Sequence, residues 1–351
     1  MSPNKLSNWA KQAATFCKVK DNVELAKLLN ISQPALLLLS HSPEYNIFEI
    51  PKPNGKLRLI EEPDEQLKEV LKQLNYFLQL VYYFNKPTAA YGFILSHKTD
   101  LEPRNILTNA EKHIGAQYLL NIDMQDFFHF VSWQKVYELL MIKPFHFAHD
   151  IAVLMANLCC YNGRLPMGSP TSPVLSNFAA YKLDAEMMAF CSKHSFIYSR
   201  FVDDMSFSSK LQAILPEQFT VMENVIATNG FAINPNKIKW FGASDTKEIT
   251  GLQLTSTGVI IPSNFFEQLG VDLLRLQHIC EVMYGLEGEV NITWLNTFRQ
   301  SVEGRIAFVE FVYGQRNKKY LSLKRQYNKS MQAAHKEEVM HWLDLPYGFF
   351  T

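Results

Sequence analysis

The stretch Phe201-Val202-Asp203-Asp204 places two carboxylates side by side between apolar and aromatic residues. Adjacent acids are electrostatically costly, because two like charges a few ångströms apart raise each other's pKa unless a cation lies between them. The flanking runs, Tyr198 to Val202 and Met205 to Ser208, are typical of strands, so the acids are predicted at the tip of a hairpin. Such a tip would make a rigid half-site for a divalent cation. The alternative is a solvated Asp-Asp turn, since acids are common in turns.

A third carboxylate earlier in the chain favours the metal site. The run Tyr118-Leu119-Leu120-Asn121-Ile122-Asp123 predicts a buried strand that delivers Asp123 to its end and then turns into a helix. Mg²⁺ is usually held by one or two carboxylates together with substrate phosphates and water. Asp123, Asp203 and Asp204 would therefore suit two metal ions in the arrangement that polymerases use for phosphoryl transfer.

A loop rich in proline and glycine lies between these acids, from Gly163 to Asn177. It is predicted to open a helix after Ser172-Pro173, because proline at the first helical position after a serine cap is a start signal. Gly168 would leave room for the backbone to lie close under a nucleotide. The alternative is an ordinary loop before a helix.

The order of these motifs resembles that of bacterial reverse transcriptases of the retron type. Asn109-Ala110-Glu111-Lys112-His113 fits the NAxxH element of that family, and Ile249-Thr250-Gly251 resembles its VTG element, with Ile for Val. The resemblance extends from about Tyr45 to about Pro262. It rests on polymerase blocks in the family's order: Ile50 to Arg58, Asp123 to Phe128, Leu165 to Asn177, Phe201 to Asp204, Asn234 to Lys237 and Ile249 to Leu252.

The resemblance implies an α+β fold, the right-hand polymerase with fingers, a palm whose antiparallel sheet carries the acids, and a helical thumb. We expect a helical N-terminal segment over residues 1–42, fingers and palm over 43–261, and a helical thumb and C-terminal segment over 262–351. Two short helices are predicted before Ser42. Tyr45 to Ile60 predicts a hairpin turned at Asn54-Gly55, and Pro63 to Phe84 a long amphipathic helix.

The resemblance also implies residues that bind the nucleotide. Lys56 and Arg58, with Lys52 as a third candidate, resemble the finger cations that hold the incoming triphosphate, a role suited to the fork geometry of arginine. Met167 and Gly168 would lie against the nucleotide. Phe128 resembles the aromatic residue under the sugar, which would clash with a 2′-hydroxyl. The alternative is that Phe127 and Phe128 pack in the core; we expect one ring to pack and the other to act as the gate.

Other positions are implied to serve catalysis or to contact RNA and primer. Lys237 resembles the palm lysine proposed to protonate the pyrophosphate leaving group, and a simple surface cation is the alternative. Thr250 and Gly251 would lie near the primer terminus. Asn109 and His113 would share a helix face and contact RNA, unless His113 is a satisfied structural histidine.

Three positions depart from the family pattern. Phe201-Val202 replaces the usual Tyr-Ala before the paired acids, and the bulkier Val202 would alter fidelity or template grip but not metal binding. Met167 stands where Gln is common, so a hydrogen bond is lost. His129 replaces a proline that is common after the phenylalanine pair.

Composition is that of a soluble cytoplasmic enzyme. The chain has 351 residues, 47% of them hydrophobic, which is enough for a large core and several subdomains. It contains no apolar run of the ~18 residues that a membrane span needs and no N-terminal signal pattern, so no membrane partner is expected. The five cysteines lack metal-ligand spacing and are interpreted as a reduced, intracellular set.

Charge is balanced overall but not locally. Lys and Arg number 34, as do Asp and Glu, so the formal net charge is zero. The segment from Arg305 to Lys329, however, is rich in basic residues with interleaved tyrosines and contains a single acid, Glu310. Such a segment would follow a phosphate backbone and stack bases, and a solvated helix face is the alternative. The residues predicted to contact RNA here are Lys318, Lys319, Lys324 and Arg325.

The resemblance implies an RNA-directed DNA polymerase, a nucleotidyltransferase that uses deoxynucleoside triphosphates and two Mg²⁺ ions, with Mn²⁺ as a substitute. It would copy a cognate structured non-coding RNA, from a guanosine 2′-hydroxyl, into a branched RNA–DNA molecule (msDNA). Such systems often serve antiphage defence with a separate effector protein. The chain after the thumb is too short for a sizeable RNase H domain, so a host RNase H is expected to remove the template.

Two alternatives remain open. One is a defence-associated or abortive-infection reverse transcriptase with protein-primed or untemplated synthesis; the elements around Asn109 and Thr250 favour the retron type. The other is an inactive RNA-binding scaffold, against which the intact set of three acids argues.

Overall fold

The computed structural model describes residues 4–51, 55–283 and 292–333. The chain divides into two compact units, the first comprising Met1–Thr250 and Leu254–Gly258 and the second Gly251–Gln253 and Val259–Thr351. Lys52, the third candidate for triphosphate binding, and Asn54, in the predicted hairpin turn, lie outside the described residues.

Three helices open the first unit: α1 (Asn4–Phe16), α2 (Asn22–Leu28) and α3 (Gln33–His41). Side chains of Asp21 and Ser32 cap the second and third by accepting backbone N–H bonds, which satisfies donors that a helix start otherwise leaves free. The two short helices predicted before Ser42 are therefore present. Phe16 anchors α1 by stacking on Phe77, with ring centroids 5.5 Å apart.

A hairpin follows, in which β1 (Tyr45–Pro51) pairs antiparallel with β2 (Leu57–Pro63). Its outer part is exposed, whereas Glu61 and Pro63 at its base are buried. Asp64 then caps the long helix α4 (Glu65–Asn85), whose apolar face lies in the core. The hairpin and the helix after it agree with the sequence-based predictions.

The central sheet has four strands in the order β4-β5-β3-β6, all antiparallel to their neighbours. In chain order the next elements are α5 (Ile106–Glu111), β3 (Tyr118–Asp123), α6 (Trp133–Met141), α7 (His149–Cys159), α8 (Ser172–Ala179), α9 (Tyr181–His194), β4 (Ile197–Phe201), β5 (Asp204–Ser209), α10 (Pro216–Thr228) and β6 (Lys239–Phe241).

Burial of the two middle strands fixes the sheet in place. Leu120 and Ile122 of β3, with Met205 and Phe207 of β5, are almost fully buried in one hydrophobic core with α4 and α7 to α9. A strand buried along most of its length reads as an apolar run, as β3 does. The carboxyl end of β3 and the amino end of β5 therefore lie side by side at the same end of the sheet, where they are held rigidly.

Three short strands follow where the chain passes between the units: β7 (Glu248–Ile249), β8 (Leu252–Leu254) and β9 (Val259–Ile260). The second unit is helical, with α11 (Ser263–Met283), α12 (Ile292–Tyr313) and α13 (Lys318–Ala333). Leu269 and Leu276 of α11 and Val302 of α12 are buried in it. In the described part of the chain, no helix is both long enough and apolar enough to cross a membrane, and the five cysteines, all within that part, form no disulfide.

Candidate active site

The paired acids lie at a hairpin tip, as the sequence predicts. Phe201 and Asp204 are partners in the β4–β5 ladder, so Val202 and Asp203 alone form the turn. Val202 has φ +63° and Asp203 does not have a positive φ, which is the sign pattern of a type II′ turn. That first position normally holds glycine, and a β-branched residue there costs about 1–3 kcal/mol. The turn is therefore strained.

Asp123 stands directly opposite Asp204 in the β3–β5 ladder. Residues opposed in this way have Cα atoms about 4.5–5.5 Å apart. The amide of Met124 donates a 2.9 Å hydrogen bond to the carbonyl of Asp203, which ties the tip to the end of β3. The fold thus brings the backbones of all three predicted metal ligands together at one end of the sheet, where the middle strands meet the turn.

Burial and neighbouring carboxylates raise the pKa of both hairpin acids. Desolvation and the charge of Asp123 raise the pKa of Asp203. Desolvation and the charges of Asp203 and Asp123 raise the pKa of Asp204 to about 6. The positive charges of Lys237 and Arg58 act in the opposite direction on Asp203. Desolvation and the neighbouring acids together therefore outweigh the nearby cations at Asp203 and Asp204.

Lys237 makes a direct contact with this cluster. Its Nζ donates a 2.7 Å hydrogen bond to Oδ2 of Asp123. Lys237 ends a short 3₁₀ turn, Pro235–Lys237, and the amide of Asn234 before it donates to the carbonyl of Asp123 at 2.8 Å. Desolvation would lower the pKa of Lys237, but the hydrogen bond to Asp123 and the charges of the acids raise it. Its side chain is 57% exposed, so the ammonium can also reach a substrate.

The donor set fits a hard divalent cation, because the three side chains offer only carboxylate oxygens and repel one another without a counter-charge. The carboxylates have not converged, however. Within residues 4–51, 55–283 and 292–333, no three His, Cys, Asp or Glu side chains come close enough together to hold a metal ion. Lys237 Nζ is bonded to Oδ2 of Asp123, so a metal ion at that oxygen would compete with Lys237.

The two phenylalanines after Asp123 have different surroundings. Phe127 is 2% exposed and packs on Phe231, with ring centroids 5.2 Å apart. Phe128 is only half-buried at the edge of the core. Core packing therefore belongs to Phe127, and Phe128 is the ring that stays accessible. Its role under the sugar remains a prediction.

The structure shows a protein segment, rather than a nucleotide, in close contact with Gly168. Its φ is +141°, and a Cβ built there would lie 2.6 Å from the carbonyl oxygen of Glu61. The amide of Glu61 donates a 2.8 Å bond to the carbonyl of Met167. The close approach at Gly168 is therefore made by strand β2, which docks on this loop. Met167 is half-buried beside it, and contact of either residue with a nucleotide remains a prediction.

A buried ion pair strengthens the same junction. Arg164 donates to both carboxylate oxygens of Glu61, at 2.8 and 2.9 Å, and Glu61 is 2% exposed. Burial would raise the pKa of Glu61, but the hydrogen bonds and charge of Arg164 hold it below its ordinary value. His129 lies nearby, with Nε2 3.5 Å from the same carboxylate. Sequence reasoning missed this pair, whose only signal is an acid among the apolar residues of β2.

The finger cations remain open to solvent. Lys56 and Arg58 are exposed on the hairpin, and the charge of Arg58 opposes the rise in the pKa of Asp203. An exposed arginine on this hairpin has the fork geometry that suits a triphosphate. This role for Arg58 and Lys56 stays a prediction.

The expected contact of His113 with RNA is wrong in this conformation, because His113 has no exposed surface. Its two ring nitrogens lie 2.7 Å from the hydroxyls of Ser208 and Ser199, and burial lowers its pKa to about 3. It is the structural histidine of the alternative interpretation. Helix α5 ends before it, so Asn109 and His113 do not share a helix. Asn109 is buried too, with no hydrogen-bond partner for Oδ1 in the described part of the chain.

The remaining predicted contacts with primer and RNA are placed but not tested. Thr250 and Gly251 both have positive φ, the combination that a type I′ hairpin turn requires. In the second unit, α13 exposes the four predicted cations along its length: Lys318, Lys319, Lys324 and Arg325.

Sequence reasoning also missed a buried arginine next to the acids. Arg200 is the second-last residue of β4, close to the turn that carries the acids. It has no exposed surface and pairs with Asp184 of α9, which has none either. The signal was available, since Arg200 stands in an apolar strand and Asp184 in a helix that faces the core. What a sequence does not show is that the two meet.

Comparison with known proteins identifies the family of this chain. The family described as "Reverse transcriptase (RNA-dependent DNA polymerase)" matches residues 50–261, which include all three acids. The chain belongs to the reverse transcriptase family. It is 26% identical to the Retron Ec86 reverse transcriptase of Escherichia coli over 260 residues, 73% of this chain and 77% of that protein. It is 27% identical to the Retron Mx162 reverse transcriptase of Myxococcus xanthus over 273 residues, 68% and 54% of the two chains.

Among solved structures, a telomerase from Candida albicans, in complex with a fragment of telomeric RNA, aligns with a TM-score of 0.42 at 12% identity, over 88% of this chain and 67% of that one.

These findings confirm the retron-type resemblance and the α+β polymerase fold with antiparallel sheets. The protein is an RNA-directed DNA polymerase. Reverse transcriptases generally use divalent metal ions and act on RNA and DNA templates.

Proposed function

We propose that this reverse transcriptase copies a cognate structured non-coding RNA into a branched RNA–DNA molecule, msDNA, within an antiphage defence system. The observation that supports the chemistry is the placement of Asp203 and Asp204 at a hairpin tip with Asp123 directly opposite. The similarity to retron reverse transcriptases over 73% of the chain supports the product.

The metal in this proposal is Mg²⁺, two ions on Asp123, Asp203 and Asp204, with Mn²⁺ as a substitute. When bound, these cations would activate the attacking oxygen and offset charge at the leaving phosphate. Arg58 and Lys56 would bind the triphosphate of the incoming nucleotide. Phe128 would exclude a 2′-hydroxyl, and Lys237, once released from Asp123, would hold the proton that the pyrophosphate takes up.

The proposed partners follow from that chemistry. The exposed cations of α13 would bind the phosphate backbone of the RNA and of its DNA copy. A separate effector protein would carry out defence, and a host RNase H would remove the copied template. The proposed location is the cytoplasm.

Sequencing the nucleic acid that copurifies with the protein tests the proposal. We expect one structured RNA and a DNA copy of part of it, joined so that a 2′,5′-debranching enzyme separates them and a protease does not. DNA released by protease would instead show protein priming, the mode of defence-associated relatives.

The matched control is the double variant Asp203→Asn, Asp204→Asn. It should yield no DNA while the RNA still copurifies, because removing like charges relieves repulsion and leaves the fold intact. DNA synthesis by this variant would contradict the assignment of the acids.

A further inference from the structure

Four of the five N–H donors of the Arg200 guanidinium are hydrogen-bonded to three groups around the catalytic turn. Its Nε and Nη2 donate to the two oxygens of Asp184 at 2.8 and 2.7 Å. Nη1 donates to Oδ1 of Asn177 at 3.0 Å and to the carbonyl of Val202 at 2.9 Å. Arg200 and Asp184 have no exposed surface. A fully buried ion pair is expensive unless further hydrogen bonds satisfy its polar groups, and here one Nη1 donor is bonded to the turn that carries the acids.

The turn needs this support. Val202 holds φ +63°, where a β-branched residue is not stable by itself. On the other side, a Cβ at Gly92 would lie 2.6 Å from Cγ2 and 2.8 Å from the amide nitrogen of Val202. Gly92 is itself held, because Asn177 Nδ2 donates to its carbonyl at 2.9 Å. Asn177 thus links the guanidinium below the turn to the backbone beside it.

The backbone of Arg200 completes the frame. Its amide donates to the carbonyl of Ala89, and its carbonyl accepts from the amide of Tyr91, both at 2.8 Å. Ala89 and Tyr91, which lie just before Gly92, are therefore hydrogen-bonded to the backbone of Arg200, whose side chain holds the carbonyl of Val202. Movement of either segment would move the turn.

We propose that Arg200 and Asp184 are positioning residues, which hold the strained Val202–Asp203 turn against Gly92 and so keep the carboxylates of Asp203 and Asp204 in register with Asp123. Neither residue touches substrate. We expect their substitution to lower kcat, because a shift of about 1 Å in a catalytic group can cost about a hundredfold in rate. Binding of nucleotide and template should change much less than kcat, since the cations predicted to bind them, Lys56, Arg58 and those of α13, lie on other elements.

The test is Arg200→Lys, which keeps the buried charge but replaces the five-donor fork with one ammonium. We expect kcat for nucleotide addition on a primed RNA template to fall about tenfold to a hundredfold, with KM for the nucleotide and Kd for the primer–template within about twofold of wild type. Hydrogen exchange of the peptide over residues 201–205, measured without metal, should be faster than in wild type.

Gly92→Ala provides a second variant that leaves every buried charge in place. Its Cβ would push the turn from the opposite side, so the same loss of kcat and faster exchange are expected. It decides the question if Arg200→Lys does not fold.

The matched control is Met187→Ala on α9, the helix that carries Asp184. Met187 is fully buried, so its truncation destabilises the same region without touching the turn. Assayed where it is folded, it should retain wild-type kcat and exchange at the turn. Wild-type kcat in Arg200→Lys or Gly92→Ala, or an equal loss of kcat in Met187→Ala, would overturn the proposal.

Discussion

His113 makes the stability of the first unit depend on pH. The imidazole is fully buried between Ser199 and Ser208 on the two strands that carry the acids, and burial lowers its pKa to about 3. In the unfolded chain a histidine has a pKa of about 6.5. Because the folded value is the lower one, the unfolded chain binds the proton first, and stability is lost as the pH falls from about 6.5 towards 3.

The size of the effect follows from linkage. Between pH 7.5 and pH 5.0 the folded protein keeps His113 neutral, so only the unfolded chain gains the proton. The free energy of unfolding should therefore decrease by about 2 kcal/mol through this residue, at about 1.4 kcal/mol per pH unit below the unfolded pKa. This figure does not depend on the folded pKa as long as that pKa lies well below 5.

The assay is urea unfolding of wild type and His113→Gln at both pH values. Gln can still bond to both serine hydroxyls but does not titrate in this range, so the variant should lose about 2 kcal/mol less than wild type on acidification. His41→Gln, at an exposed histidine, is the control and should lose as much as wild type. Equal pH dependence in wild type and His113→Gln would refute a neutral, buried His113.

Three further predictions concern nucleotide and RNA. Phe128→Ala should raise kcat/KM for ribonucleotides relative to deoxynucleotides by about tenfold or more, whereas Phe127→Ala should lower stability and leave the ratio unchanged; the opposite pattern would move the sugar contact to Phe127. Neutralising Lys318, Lys319, Lys324 and Arg325 together should weaken RNA binding and lower the slope of log K against log salt by about 0.7–0.9 per lost contact, more than neutralising Lys5, Lys11 and Lys18 does; a larger change from the second set would place the RNA on the N-terminal helices. Gly168→Ala should destabilise the protein by about 1–3 kcal/mol in urea unfolding and raise KM for the nucleotide, because its Cβ would displace β2; unchanged stability would contradict the tight contact with Glu61.

The helix predicted directly after Asp123 is wrong, because residues 125–130 form turns and α6 begins only at Trp133. The sequence was sufficient to predict the hairpin of acids and the strand that delivers Asp123. Each is a local pattern: an apolar run ending in an acid, or alternation around a turn. The short N-terminal helices and the long helix α4 were predicted for the same reason, since capping and periodicity are read from neighbouring residues.

What the sequence did not reveal depends on contacts between distant segments. A glycine in a loop indicates that something approaches the backbone closely, but it does not indicate which group. Gly168 was predicted to lie against a nucleotide, and the group that approaches it in the structure is the backbone of Glu61. The same limit applies to His113, whose two serine partners come from strands much later in the chain. The bond from Lys237 to Asp123 was likewise invisible until the 3₁₀ turn was placed beside β3.

The segment bonded to Arg200 also protects the sheet against unwanted pairing. Strand β4 lies at one margin of the four-stranded sheet, where free backbone groups are a template for another chain. The outward amide and carbonyl of Arg200 are instead taken by Ala89 and Tyr91, both buried. At the opposite margin, β6 has only three residues and begins with the exposed Lys239. One margin is covered and the other is short and charged, so this sheet has little capacity for aggregation through strand addition.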